Sequence, residues 1–141
     1  MNYREIHIGS MIQKLVKELG IESSRICNFF NIAESEIDLM YKSKTQDTET
    51  LLKWSKLLEY DFFRVYIQHL ILYSPQNSKG SPDNISKKTS LPSFRKNIYT
   101  KEVVDFILEK IKSGEMTKIQ VIERYKIPKT TLYKWILKYT E

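Results

Sequence analysis

The sequence predicts an all-α protein in which two small helical domains are joined by a flexible basic linker. Three observations carry this expectation. Apolar residues recur at helical spacing through most of the chain. Only four glycines and four prolines occur in 141 residues, a composition suited to helices round modest cores. Three of those prolines (Pro75, Pro82 and Pro92) fall with Gly80 in SPQNSKGSPDNISKKTSLPSFRKN, residues 74 to 97. That stretch, rich in Ser, Asn and Lys, cannot bury a hydrophobic face. It divides the chain into a front domain, 1–73, a linker, 74–97, and a rear domain, 98–141.

The front domain reads as about five helices. In IGSMIQKLVKEL, Ile8, Ile12, Leu15 or Val16, and Leu19 form one stripe, and Gly20 supplies the stop. SSRICNFF follows Glu22, and a short ESEIDLMY helix follows the NIA turn. DTETLLKWSKLLEY starts at the capping group Asp47 and is expected to bury Leu51, Leu52 and Leu58, with Trp54 a further candidate. The last helix, 61 to 73, is apolar nearly all round. Its Phe62, Phe63, Tyr66, Ile67, Leu70, Ile71 and Tyr73, together with Val65 and Leu72, exceed what one small domain can cover. The surplus points to a homodimer contact; the alternative is a central helix, or one that the linker covers.

The rear domain reads as three helices. Thr100 caps TKEVVDFILEKIKSG, whose stripe is Val103, Val104, Ile107, Leu108 and Ile111 and whose end is Gly114. A second helix follows Thr117, with Val121, Ile122 and Tyr125 inward. After the turn KIP, Pro128 marks the third, since proline has no amide hydrogen to satisfy in a first helical turn. Leu132, Trp135 or Ile136, and Tyr139 return to the core side; Lys129, Thr130, Tyr133, Lys134, Leu137 and Lys138 occupy the other. A tight turn between the last two of three helices is a helix-turn-helix pattern. The outward face of KIPKTTLYKWILKY has the chemistry of a groove reader: hydroxyls and ammonium groups for phosphates, and an aromatic at Tyr133 for a base edge or thymine methyl. The plainer reading is a helix that only completes a trihelical core.

Charge is distributed unevenly. Residues 1 to 74 hold nine Lys/Arg against ten Asp/Glu, residues 75 to 97 five against one, and residues 98 to 141 nine against six. The excess positive charge therefore lies in the joint and the rear domain, the parts expected to meet a polyanion. One cysteine, Cys27, excludes an intrachain disulfide, and His7 and His69 are the only histidines, so no metal spacing occurs. No glycine-rich phosphate loop is present. The acids Glu34, Glu36 and Asp38 fall two residues apart and so are not expected to share one face. No enzyme activity, cofactor or metal is expected. MNYREIHIGS has no apolar signal core and FFRVYIQHLILY is too short for a bilayer, so a cytoplasmic, non-membrane protein, nucleoid-associated when bound to DNA, is expected.

Two resemblances add to these readings. The stretch from IGSMIQKLVKELG through DTETLLKWSKLL resembles the XRE, or lambda-repressor-like, helix-turn-helix domain over about residues 6 to 66. Where that family reads DNA, this chain has Ser23 for a usual Gln, Ala33 for a capping Ser, and Glu34, Glu36, Asp38 and Leu39 for polar or basic residues. Three carboxylates facing a backbone with one phosphate charge per about 1.7 Å are repelled. The front domain is thus expected to assemble subunits and not to bind DNA. YTKEVVDFILEKIKSGEMTKIQVIERYKIPKTTLYKWILKY is similar to the DNA-binding helix-turn-helix of OrfA-type insertion-sequence transposases over about 98 to 139. Lys126 replaces the glycine often found at the turn, Ile122 a small residue, and Pro128 a capping serine. The resemblance implies double-stranded DNA as partner, with Thr117, Lys118, Lys129, Thr130, Thr131, Tyr133, Lys134 and Lys138 as contacts. Arg95 and Lys96, just ahead of the rear domain, resemble an arm that enters the minor groove.

The expectation is therefore a sequence-selective DNA-binding protein, either a transcriptional regulator or a transposase-related accessory of a mobile element. The competing expectation is an adaptor, antitoxin-like or phage-defence-related, whose degenerate helix-turn-helix folds bind proteins. Cys27 stands where the front resemblance places a small packed residue, so it reads as a structural thiol.

Overall fold

The structure, a computed structural model, describes residues 2–74, 90–92 and 99–139. Eight α-helices and no strand occur among the described residues, so the chain is all-α. They group into two compact units, Asn2–Ile67 and Gln68–Glu141. Apart from Ser74 and residues 90–92, the expected linker lies outside the described residues, and so do Arg95 and Lys96.

The front unit contains α1 (Ile8–Leu19), α2 (Ser23–Phe30), α3 (Glu34–Lys42), α4 (Thr48–Leu58) and the beginning of α5 (Phe63–Tyr73). His7 caps α1 through its ring: Nδ1 accepts from the Ser10 amide at 3.1 Å. Gly20, at φ 65°, ends the helix in the left-handed region that glycine enters without strain. The core is built from Ile8, Ile12, Val16, Ile26, Ile37, Leu51, Trp54, Leu57, Leu58 and Phe62.

Two expected core residues are not in it. Leu19 is 52% exposed because it is the last helical residue before the chain turns away at Gly20. Leu52 is 45% exposed. Leu51, Trp54, Leu57 and Leu58 share one arc of α4, and a step of about 100° per residue carries Leu52 past its edge.

Gly9 shows why the first turn of α1 can lie so near the end of α3. The Ile8 and Gly9 amides donate to the carbonyls of Lys44 and Ser43, at 3.0 and 3.1 Å. A Cβ on Gly9 would overlap the carbonyl oxygens of Met40, Tyr41 and Ser43. Amide donors that every helix leaves unsatisfied at its start are thus met by carbonyls just past another helix. Trp54, fully buried, lies against Phe30 at 4.6 Å between ring centroids, and its indole Nε1 has no hydrogen-bond partner.

The rear unit contains the end of α5, then α6 (Lys101–Lys112), α7 (Lys118–Tyr125) and α8 (Lys129–Tyr139). Its buried residues include Leu72, Val103, Val104, Ile107, Val121, Tyr125, Ile127 and Leu132. Thr100 caps α6 as expected, its hydroxyl oxygen accepting from the Val103 amide. The same threonine donates from its amide and its hydroxyl to Gln68 Oε1, both at 3.4 Å, and Gln68 is only 2% exposed. The division between the units falls within α5, between Ile67 and Gln68.

Candidate nucleic-acid interface

The candidate site is the outward face of α7 and α8. Local chemistry fixes where both helices begin. Thr117 Oγ1 accepts from the Gln120 amide at 3.2 Å, and the Gln120 side chain accepts from the Thr117 amide at 2.9 Å, a reciprocal box that starts α7. The helix ends at Lys126, which takes a left-handed conformation with φ 54° and ψ 37°. A lysine there costs on the order of 1 kcal/mol relative to glycine. The turn is held nonetheless, because Ile127 is 1% exposed and anchors it in the core. Leu132 then donates its amide to the Pro128 carbonyl at 3.1 Å, opening α8.

Both α7 and α8 pack on α6. On α8, Leu132 is fully buried, and Trp135 and Ile136 are half-buried. The edge of one ring meets the face of the other between Tyr99 and Trp135, 4.8 Å apart at 80°. Burial pushes the Tyr99 phenol above its ordinary pKa, and its hydroxyl has no partner. Tyr139, expected on the core side, is instead exposed. It is the last residue of the helix, and the Lys138 ammonium lies over its ring at 5.2 Å.

Lys129, Thr130, Tyr133, Lys134, Leu137 and Lys138 are all exposed, as are Thr117 and Lys118; Thr131 is half-buried. The turn brings the two helix starts together at Tyr133. Lys118 from α7 and Lys129 from α8 hold their ammonium groups 5.3 and 5.7 Å from its ring centroid. Such contacts are worth about 0.5–1 kcal/mol at exposed sites, enough to bias the position of a ring that packing does not hold. Positive charge and the start of α7, with its helix dipole, coincide here and favour an anion. The carboxylate in the α6–α7 turn, Glu115, is paired with Lys110 at 2.8 Å, and that hydrogen bond raises the Lys110 pKa above the usual lysine value. A shallow groove lined by Glu115, Met116, Gln120, Glu123 and Arg124 lies beside α7 and carries mixed charge.

The front unit presents a different surface. Ser23, Ala33, Glu34, Glu36, Asp38 and Leu39 are exposed. Ala33 has no acceptor to cap α3, so only half of a capping box is made, with Glu36 Oε2 accepting from the Ala33 amide at 2.9 Å. Glu34 and Asp38, four residues apart, do share one side of α3, which corrects the expectation drawn from their spacing.

The residues expected to form a subunit contact separate by burial. Phe62 is 1% exposed and belongs to the front core, so it is removed from that set; Phe63 and Tyr66 pack against the same core. Ile71 is half-buried, whereas Ile67, Leu70 and Tyr73 are exposed, Leu70 by 56%. The aromatic bulk of 62–66 is spent on the front unit because the helix starts inside it.

His7 and Ile127 were not legible as a cap and an anchor. A histidine just before an amphipathic stripe is a faint cap signal, and an apolar residue before proline is a faint turn anchor. Cys27 is half-buried against the front core. Among the described residues no cluster of His, Cys, Asp and Glu has metal-binding geometry, and no helix is long and apolar enough to cross a membrane. Compared with protein-family models, curated proteins and solved structures, the chain gives no match.

Proposed function

We propose that this chain is a non-enzymatic, sequence-selective protein of double-stranded DNA, either a small transcriptional regulator or an accessory of a mobile element. In this reading α8 enters the major groove and two copies join through Ile67, Leu70 and Tyr73, the exposed residues of α5. One observation supports it above the others: Lys118 and Lys129 converge on Tyr133 while Thr130, Lys134 and Lys138 stand exposed along the same helix. Ammonium and hydroxyl groups set out along one helix face suit phosphates on either side of a groove and base edges between them. The resemblance of the rear domain to OrfA-type helix-turn-helix domains points the same way, and a cytoplasmic location follows from the proposal.

The test is selection of genomic fragments by the purified protein beside a Tyr133→Ala, Lys134→Ala variant. Wild type should enrich a defined set of sites that the variant loses; equal enrichment by both would remove α8 as the reading face.

A protein-binding adaptor is the second reading. It is favoured by the exposed apolar residues Leu39, at 67%, and Leu70. Salt distinguishes the two. Binding to DNA weakens with a log-log slope of about −0.9 per phosphate contact, whereas an apolar protein interface hardly responds.

A further inference from the structure

Leu137 is 81% exposed, the highest value among the exposed large hydrophobic residues described, and it stands in the middle of an otherwise cationic face. A leucine held in water gains nothing there. It lies seven residues after Thr130 and four after Tyr133, so the three fall along one ridge of α8. The ridge spans about 10 Å, or about three base-pair steps. Lys134, three residues before Leu137, and Lys138, immediately after it, are both exposed. The composition of α8 is equally informative: KTTLYKWILKY contains no Arg, Asn, Gln, Asp or Glu. The arginine fork for guanine, the amides for adenine and the carboxylates for cytosine are therefore missing from the helix, while its lysines can still reach guanine O6 and N7. What remains for discrimination is lysine, hydroxyl and apolar surface.

The only apolar group that standard bases display in the major groove is the thymine C5-methyl. Resting on the reading of α8 as the groove helix, we propose that Leu137, with Tyr133, determines specificity by packing against thymine methyl groups, so that the protein selects thymine-bearing steps by apolar contact. The flanking ammonium groups commit this face to a polyanion, since a purely apolar partner would have to desolvate them.

The test uses the full-length protein and a duplex library with a random 20-base-pair core, prepared once with thymine and once with uracil, which differs only by the missing methyl. Fluorescence anisotropy of the two pools selected at one ionic strength gives the ratio of affinities. Wild type should bind the thymine duplexes more tightly by about fourfold for each methyl contacted. In Leu137→Ala, which replaces an exposed side chain by a better helix former and so leaves the fold intact, that ratio should fall towards one while binding persists. Equal binding of both duplexes by wild type would overturn methyl readout and leave the DNA reading standing. Binding to neither would overturn both. A ratio unchanged in Leu137→Ala would remove this residue from the role. Altered sedimentation of Leu137→Ala without DNA would assign it to a contact between copies instead.

Discussion

The Lys118 ammonium on α7 lies 5.3 Å from the ring centroid of Tyr133 on α8, so the two helices of the turn meet at a cation–π contact on their outer surface. Lys118→Gln should lower the stability of the rear unit by no more than about 1 kcal/mol. If α8 reads DNA as proposed, the effect on DNA affinity should be larger, because a charge beside the proposed groove face is lost. For Lys134→Ala, affinity should fall and the log-log salt slope should become shallower by about 0.9, the signature of one phosphate contact. Anisotropy titrations over a range of salt check both; unchanged slopes in both variants would place these lysines off the backbone.

Gly9 should be the least replaceable small residue of the front unit. Gly9→Ala puts a methyl group against three carbonyl oxygens at the end of α3, and relief requires α1 to move away from the partners of its first amides. A loss of about 3 kcal/mol is expected, at the upper end of overpacking costs. Chemical denaturation measures it, and a variant as stable as wild type would show that the close approach is not needed.

Lys126→Gly should stabilise the rear unit. The residue has φ 54°, a region costly for any side chain with a Cβ. The gain is about 1 kcal/mol, reduced somewhat because glycine also frees the unfolded chain. Ile127→Ala, one residue on, should cost about 2–5 kcal/mol, since Ile127 is buried and anchors the turn. Opposite signs at adjacent positions, read from thermal midpoints, distinguish backbone strain from packing.

Asp47 links the front unit to acid pH. Its carboxylate accepts from the Thr50 hydroxyl at 2.7 Å and the Thr50 amide at 2.8 Å, and these bonds, the side-chain one foremost, lower its pKa. The folded pKa is below the unfolded one, so the contribution is complete above the unfolded value of about 3.9. It is lost as pH falls through the folded value. Wild type should lose stability below about pH 4 by an increment that Asp47→Asn lacks; parallel pH–stability curves would contradict this.

Much of the fold was legible from sequence. Asp47, Thr100 and Thr117 cap helices where the pattern places them, Gly20 ends α1, and Pro128 stands at the opening of α8. Such signals are local, because a cap or a stop acts on amides within one turn. The exposed face of α8 was legible for the same reason, since helical spacing assigns sides. Less could be read at helix ends and edges: Leu19, Leu52 and Tyr139 have the right residue type but emerge into solvent. Periodicity gives an azimuth and says nothing of how far along the axis the neighbouring helices extend.

By itself, then, the amino-acid order determined the helical class, the starts and stops of the helices, and which side of α8 carries lysine, hydroxyl and Tyr133. Tertiary structure alone decided that Phe62 is core, that the Gln68 side chain receives Thr100, and that Lys118 comes to Tyr133 across the turn. The physical reason is range. Hydrogen bonding and side-chain direction within a helix act over three or four residues and are written in the spacing, whereas burial depends on which distant surfaces arrive.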